Sequence, residues 1–153
     1  MLRAEQKTDS KDSELIKEYI KEGKIVPVEI TCRLLLKAME KEGLEKKFLI
    51  DGFPRNKDNL DGWNKEMKGH ANVVQVLFFE VPEDIMLARI MKRAESSGRS
   101  DDNEEAAKKR FKTFKEETMP VIQSFEKQKL VHKINANQGI EEVYAEMKKG
   151  LIL

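Results

Sequence analysis

The chain has 153 residues, of which 29 are Lys or Arg and 28 are Asp or Glu, so its formal net charge is only +1. A balance this close to neutral argues against a protein that binds nucleic acid mainly through bulk positive charge. The charged fraction is 37% and the apolar fraction 39%, with the apolar residues in runs. This composition is typical of a globular protein, and we expect a single domain over residues 1–153.

The sequence also restricts the compartment. Cys32 is the only cysteine, so no intrachain disulfide forms and a reducing compartment is expected. No apolar stretch approaches the roughly 20 residues of a membrane span, and the first residues show no signal-peptide pattern. We therefore expect a soluble protein of the cytoplasm, with the nucleus as the alternative, whose partners are neither nucleic acids nor membranes.

Helical patterns fill the first part of the chain. An apolar stripe over 15–20 predicts a helix that ends at Gly23. Pro27, which lacks an N–H, predicts the start of a second helix that runs to Gly43. A shorter stripe over 60–67 predicts a third helix.

The second half continues in the same way. Pro82 is followed by two acidic residues, which predicts a helix start because carboxylates stabilise the positive end of the helix dipole. A long helical pattern from Asn103 is expected to be interrupted near Pro120. A last helix is predicted over 140–147.

Three compact apolar runs lie between these helices, at 48–50, 73–81 and 130–136. The middle run is nearly continuous rather than alternating, which is typical of a strand buried on both faces of a parallel sheet. Strands that alternate with helices predict the α/β class, with a parallel sheet and surrounding helices.

Polar residues follow the first apolar run at once, in the order Asp51, Gly52, Phe53, Pro54, Arg55. A strand ending here would place them at its carboxyl end, where open α/β sheets bind ligands. The alternative interpretation is a strand followed by an ordinary Gly-Pro turn.

A second polar segment, 93–103, contains Arg93 and Arg99, and Arg110 follows in the next predicted helix. Planar guanidinium groups pair with phosphate oxygens at two points and stabilise the charge on a transferring phosphoryl group. Arginines from a loop and an adjacent helix therefore indicate a phosphoryl-transfer site. The alternative is a solvated charged loop.

Together these segments resemble the nucleoside monophosphate kinases, most closely the UMP–CMP kinase branch. The matching segments are Leu2-Arg3, the turn 24–27, the Gly-Phe-Pro-Arg signature at 52–55, and the lid 93–103 with Arg110. The resemblance implies an adenylate-kinase-like fold and reversible transfer of the ATP γ-phosphoryl group to UMP or CMP, with Mg²⁺ as cofactor. Residues 4–44, approximately, would form the monophosphate-binding subregion.

The resemblance assigns a role to each arginine. Arg3, Arg55, Arg99 and Arg110 would hold the acceptor monophosphate, and Arg99 and Arg110 would also reach the transferred phosphoryl group. Arg93 would contact the ATP phosphates at the root of the lid.

It also implies the remaining contacts. Lys24, Ile25 and Val26 would line the nucleoside pocket, and Asn59 would read the pyrimidine edge by hydrogen bonds. Asp51 would be the carboxylate that orients water on Mg²⁺. The other signature residues would lie beside the substrate: Gly52, Phe53 and Pro54. The backbone around Gln138 would lie against the ATP adenine.

The sequence contains no G-x-x-x-x-G-K-[ST] motif. In the family that it resembles, a strand, this phosphate loop, a helix and a second strand precede the Leu-Leu-Arg element. We therefore expect an amino-terminally truncated relative that is weakly active or inactive, because it lacks the cradle for the ATP phosphates. The alternative is a non-catalytic nucleotide-binding or interaction isoform.

The missing strands of the resembled family also lead to a prediction about the sheet. The strands around Ile50 and Leu77 should either pair directly or recruit a strand from another chain, since open edges leave N–H and C=O groups unpaired. Self-association is therefore expected.

His70 and His132 show no metal-ligand pattern, and Cys32 is interpreted as a packing residue.

Overall fold

The computed structural model describes residues 5, 10–21 and 26–152. The chain divides into two compact units, Met1–Asn72 and Val73–Leu153. Among the residues described, none of the helices has both the length and the apolar character that crossing a bilayer requires.

The first unit is helical and contains α1 (Lys11–Lys21), α2 (Val28–Glu42) and α3 (Lys57–Glu66). Its core is a cluster of Ile16, Val26 and Ile30. The predicted apolar stripe of α1 thus supplies the buried Ile16. Three partly buried residues pack around the cluster: Tyr19 and Ile20 of α1, and Leu34 of α2.

Local signals set the ends of these helices. α2 begins directly after Pro27 and ends at Gly43, as predicted. Gly43 has a φ of +102°, a conformation that glycine adopts without the strain of a Cβ atom. The predicted end of α1 at Gly23 lies outside the described residues.

Gly62 allows α2 and α3 to approach closely. A Cβ atom at this position would overlap the side chain of Val28 at the start of α2. Glycine lowers helix stability by about 1 kcal/mol relative to alanine. The packing of α3 against Val28, which only a residue without a Cβ atom allows, offsets this cost.

The second unit contains a parallel pair of strands, β1 (Val76–Glu80) and β2 (Val131–Asn135), with Val76 opposite Val131 and Glu80 opposite Asn135. A parallel pair requires a crossover connection. The segments between the strands are helical, and a further helix follows β2; in chain order these are α4 (Glu83–Ser97), α5 (Glu104–Thr113), a π-helical turn (Phe114–Thr118), α6 (Met119–Lys127) and α7 (Ile140–Gly150). The predicted α/β class with a parallel sheet is confirmed.

Two further helix signals are confirmed. α4 starts directly after Pro82 and ends at Gly98, whose backbone is left-handed with a φ of +61°. The helical pattern from Asn103 is interrupted by the π-helical turn just before Pro120. Proline has no N–H to donate to the preceding turn, so the regular hydrogen-bond ladder fails there.

The predicted strand at 48–50 is wrong. These residues have no regular secondary structure, and Leu49 is 83% exposed. A strand exists only where a neighbour receives its N–H and C=O groups, and a run this short has little preference of its own. Direct pairing with the strand around Leu77 is therefore also wrong, while recruitment of a strand from another chain stays a prediction.

β1 is shorter and less buried than predicted. The run at 73–81 forms a strand only over Val76–Glu80, and Phe79 is 44% exposed. The sheet described here has two strands, and α6 packs against both of them. A two-stranded sheet lacks the neighbours and helical cover that bury both faces of a central strand, so the prediction of double burial is wrong.

Gly62→Ala should destabilise the first unit. We expect the clash with Val28 to cost about 1–3 kcal/mol, which outweighs the gain in helix propensity. Adding Val28→Ala should relieve most of this loss, because it removes the atoms that the new Cβ would meet. Urea unfolding of the single and double variants measures the coupling. Asn64→Ala, at an exposed position of α3, is the control; an additive double variant would contradict the predicted contact.

Candidate active site

Asp102 is the centre of a polar cluster between α4 and α5. Its side chain has no exposed surface. Arg93, near the end of α4, donates to both of its carboxylate oxygens, from Nε at 2.8 Å and from Nη2 at 2.6 Å. This two-point pairing fixes the plane of the guanidinium group as well as its position.

Ser97 joins the same cluster. Its hydroxyl donates to Oδ2 of Asp102 at 2.7 Å and accepts the backbone N–H of Arg99 at 3.2 Å. The side chain of Arg99 itself is exposed, and it has no hydrogen-bond or ion-pair partner in the described part of the chain.

Arg110 approaches the cluster from α5. Its Nη1 lies 3.3 Å from Oδ2 of Asp101, its Nη2 donates to the Asp101 carbonyl oxygen at 3.0 Å, and Nη2 lies 3.9 Å from Oδ1 of Asp102. Its Nε is buried and has no hydrogen-bond partner among the described residues. The second unit therefore brings the three predicted arginines Arg93, Arg99 and Arg110 to one loop.

The electrostatics of the cluster follow from these contacts. The hydrogen bonds from Arg93 hold the pKa of the Asp102 carboxyl well below its usual range, against the burial that would raise it, and Ser97 adds to the lowering. The same pair raises the pKa of Arg93. Both groups are ionised at neutral pH.

In the first unit, Arg55 is held by the turn that contains the signature. Gly52 has a φ of +70°, and its carbonyl oxygen accepts Nε of Arg55 at 2.6 Å. The peptide bond between Phe53 and Pro54 is cis, and the Phe53 ring packs on Trp63 with centroids 5.9 Å apart. The Arg55 side chain is exposed.

Asn59 links this turn to a cleft. Its Oδ1 accepts the backbone N–H of Arg55 at 3.2 Å, and its own N–H donates to the Asn56 side chain, the cap of α3, at 2.8 Å. Asn59 is 3% exposed, and its amide nitrogen has no acceptor among the described residues.

The cleft has a volume of about 480 Å³ and lies between α1, the start of α2 and α3. Val26 and Asn59, both predicted in the nucleoside pocket, line it together. Its other polar lining, which no sequence pattern indicated, comes from exposed side chains of α2 and α3, among them Glu29, Asp58, Asp61 and Lys65.

The predicted magnesium contact, Asp51, is exposed. Among the residues described, no group of three or more His, Cys, Asp or Glu side chains could hold a metal ion. Mg²⁺ keeps several of its waters and needs only one or two carboxylates when substrate phosphates complete its shell. A single solvent-facing carboxylate fits that mode of binding.

Gln138 lies in the connection between β2 and α7. Its Nε2 donates to the Asn135 carbonyl oxygen at 2.9 Å and to Oε2 of Glu146 at 2.7 Å. These bonds hold the connection at the carboxyl end of β2. The remaining predicted site residues, Arg3, Lys24 and Ile25, lie outside the described residues.

Sequence reasoning missed the carboxylate side of the arginine cluster. The cap of α5 is Asn103, whose Oδ1 accepts the N–H of Ala106 at 2.8 Å. Asp102 pairs with Arg93 instead. The available signal was the pair of acids Asp101 and Asp102, two and three positions after Arg99.

Cys32 is buried within α2, and burial raises the pKa of its thiol to about 11. The thiol is therefore protonated at neutral pH and unsuited to nucleophilic attack. This agrees with its interpretation as a packing residue.

The sequence matches the family model for adenylate kinase over residues 1–130. It is 52% identical to the UMP-CMP kinase of Danio rerio over 153 residues, which cover 97% of this chain and 78% of that protein. Identity to the UMP-CMP kinase of Mus musculus is 51% over 154 residues, covering 97% and 79% of the two chains. For the UMP-CMP kinase of Homo sapiens it is 50% over 152 residues, covering 96% and 78%.

These similarities, the parallel α/β unit and the arginine cluster define a phosphotransferase of the nucleoside monophosphate kinase type. The chain belongs to the adenylate kinase family.

The Arg93–Asp102 pair predicts a pH dependence of stability. Because the folded-state pKa of Asp102 is lowered, its contribution is complete above the unfolded pKa of about 3.9 and is lost as the pH falls through the folded value. Asp102→Asn should therefore lower the urea midpoint strongly at neutral pH, and the difference from the unaltered chain should narrow as the solution is acidified below about pH 4. Urea titrations across this range measure the effect.

Glu105→Gln is the control for this experiment. Glu105 forms an exposed ion pair with Lys109 at 2.8 Å, and surface pairs of this kind contribute little. An Asp102→Asn effect as small as that of Glu105→Gln, or one that does not change with pH, would contradict the assignment.

Proposed function

We propose that this chain has the acceptor site of a nucleoside monophosphate kinase, which binds UMP or CMP for reversible transfer of the ATP γ-phosphoryl group, and that its 153 residues by themselves are weakly active or inactive. The observation that carries the proposal is the cleft that joins Val26 to the buried amide of Asn59, directly beside Arg55. The identity of about half of the residues to UMP-CMP kinases supports it independently.

The cleft suits a nucleoside in size and chemistry. Its volume of about 480 Å³ lies within the roughly 300–1,000 Å³ of typical small-molecule sites. Asn59 has its oxygen engaged by the turn, so the amide NH₂ group is the part left to donate to a base. Both uracil and cytosine carry a ring carbonyl that can accept such a bond.

The phosphate end of the acceptor would be held by Arg55. Its backbone is fixed by Asn59 and its Nε by the Gly52 carbonyl oxygen, so less side-chain freedom is lost when a phosphate binds. A guanidinium group donates at two points to phosphate oxygens and stabilises their charge. Arg3 would complete this contact.

The arginines of the second unit would act on the transferred group. Arg99 is exposed, while Arg93 and Arg110 face the carboxylates of Asp101 and Asp102. The carboxylates hold the two guanidinium groups in place before substrate arrives, which is the arrangement that stabilises a transition state without reorganisation.

Mg²⁺, when bound, would supply positive charge that offsets the negative charge of the phosphates. Asp51 would orient one of its waters. The backbone around Gln138, held by its bonds to Asn135 and Glu146, would lie against the adenine of ATP. We further propose a cytoplasmic location, in keeping with the single buried thiol of Cys32.

A second candidate function is nucleotide binding without catalysis. It is favoured by one observation, the absence of a G-x-x-x-x-G-K-[ST] motif from these 153 residues. That motif supplies backbone N–H groups and a lysine to the ATP phosphates, and each lost group of this electrostatic type costs about 2.7–4 kcal/mol of transition-state stabilisation.

The 153-residue chain should accordingly show no measurable ATP-dependent phosphorylation of UMP or CMP in a coupled assay. It should nevertheless bind both monophosphates, because the cleft and Arg55 are present. Turnover comparable to that of a complete UMP-CMP kinase would contradict this expectation and exclude the non-catalytic alternative.

Two variants of Asn59 separate base recognition from support of the turn. Asn59→Asp keeps an oxygen for the Arg55 N–H and removes the amide donor, whereas Asn59→Ala removes both. If the amide reads the base, both variants should weaken UMP and CMP binding by about 1–3 kcal/mol, with a smaller effect on AMP. Titration calorimetry gives these affinities.

Arg55→Ala is the matched comparison, since loss of a phosphate contact should weaken UMP, CMP and AMP alike. Asn64→Ala, on the exposed side of α3, should change nothing. If Asn59→Asp binds pyrimidines as the unaltered chain does while Asn59→Ala does not, Asn59 supports the turn and does not read the base.

A further inference from the structure

Ser97 occupies the junction between α4 and the loop that carries Arg99. It is the last residue of α4, and Gly98 directly after it turns the chain through a left-handed conformation. Its hydroxyl makes two hydrogen bonds in opposite senses: it donates to Oδ2 of Asp102 and accepts the backbone N–H of Arg99. One oxygen atom thus connects the buried carboxylate to the tip of the loop.

The charges around this junction distinguish Arg99 from its neighbours. Arg93 and Arg110 are compensated by Asp102 and Asp101. The side chain of Arg99 is exposed and forms no ion pair or hydrogen bond with another described residue, and its charge acts on Asp102 only from a longer distance. It is therefore the cation of this loop that an incoming phosphate meets without displacing a carboxylate.

We propose that Ser97 is a positioning residue that places Arg99 for phosphate binding. The hydroxyl is held by Asp102, which is itself held by the two bonds from Arg93. The Arg99 backbone is thereby tied to the buried carboxylate of Asp102, although the Arg99 side chain remains in solvent. The inference rests on the proposed function, because it concerns the same arginine loop.

Removal of the hydroxyl should act on Arg99 selectively. Alanine has a higher helix propensity than serine, so Ser97→Ala does not weaken the end of α4. Asp102 keeps both bonds from Arg93 after the substitution. Oδ2 of Asp102 loses the bond from Ser97 but keeps the one from Nε of Arg93, whereas the N–H of Arg99 loses the acceptor that it has among the described residues. The loop tip then becomes free to adopt other conformations.

The experiment measures binding of inorganic tripolyphosphate to the full chain by titration calorimetry. This probe has no base and therefore reports on the arginines. We expect Ser97→Ala to weaken its binding about three- to tenfold, the range that corresponds to one hydrogen bond. Ser97→Thr, which keeps the hydroxyl, should restore it. Ser96→Ala removes an exposed hydroxyl from the preceding residue and should leave the affinity unchanged.

The combination of Ser97→Ala with Arg99→Ala distinguishes positioning from a general loss of structure. If Ser97 acts through Arg99, the double variant should bind no more weakly than Arg99→Ala alone. Additive losses, or a Ser97→Ala affinity equal to that of Ser96→Ala, would overturn the inference. Absence of tripolyphosphate binding by the unaltered chain would overturn it as well, and a parallel titration with UMP shows whether the proposed function fails with it.

Discussion

The carboxylate of Asp102 has no exposed surface, and the hydrogen bonds that Arg93 donates to both of its oxygens are the main reason that it stays ionised. The Arg93 side chain is itself 44% exposed, but its loss would leave a buried carboxylate without its main partner, which is more costly than losing a surface pair. The end of α4 and the approach to α5 are therefore held together. The same constraint positions two further side chains. Ser97 contacts Asp102, and Arg110 contacts both Asp101 and Asp102.

The turn that holds Arg55, in the first unit, is organised by more local interactions. The side chain of Asn56 caps α3 by accepting the N–H of Asn59. The side chain of Asn59 in turn accepts the N–H of Arg55. Nε of Arg55 donates to the carbonyl oxygen of Gly52. Each bond joins residues three or four positions apart, so the turn and the helix start are built together. The helix cap thus also fixes the backbone of Arg55, the arginine proposed to bind the acceptor phosphate, and the wall of the cleft.

Sequence patterns predicted the helix boundaries better than the strands. Pro27, Gly43 and Pro82 set helix ends as expected because their effects act within one turn of the backbone. The segment 48–50 has the composition of a strand but forms none. Strand formation depends on a neighbour supplied from elsewhere in the chain, and no local property of three apolar residues provides one. For the same reason the burial of β1 was overestimated.

The sequence by itself determined the α/β class, the family, the choice of candidate arginines and the Gly-Phe-Pro-Arg turn. Each of these depends on residue identity and short spacing. Only the tertiary structure decided which charges meet. Arg93 and Asp102 come from different elements, and their pairing requires the turn at Gly98 to bring the end of α4 back to α5. The cleft was likewise decided by the close crossing of α2 and α3 at Gly62. Burial and distance between separate helices depend on packing, which no spacing along the chain specifies.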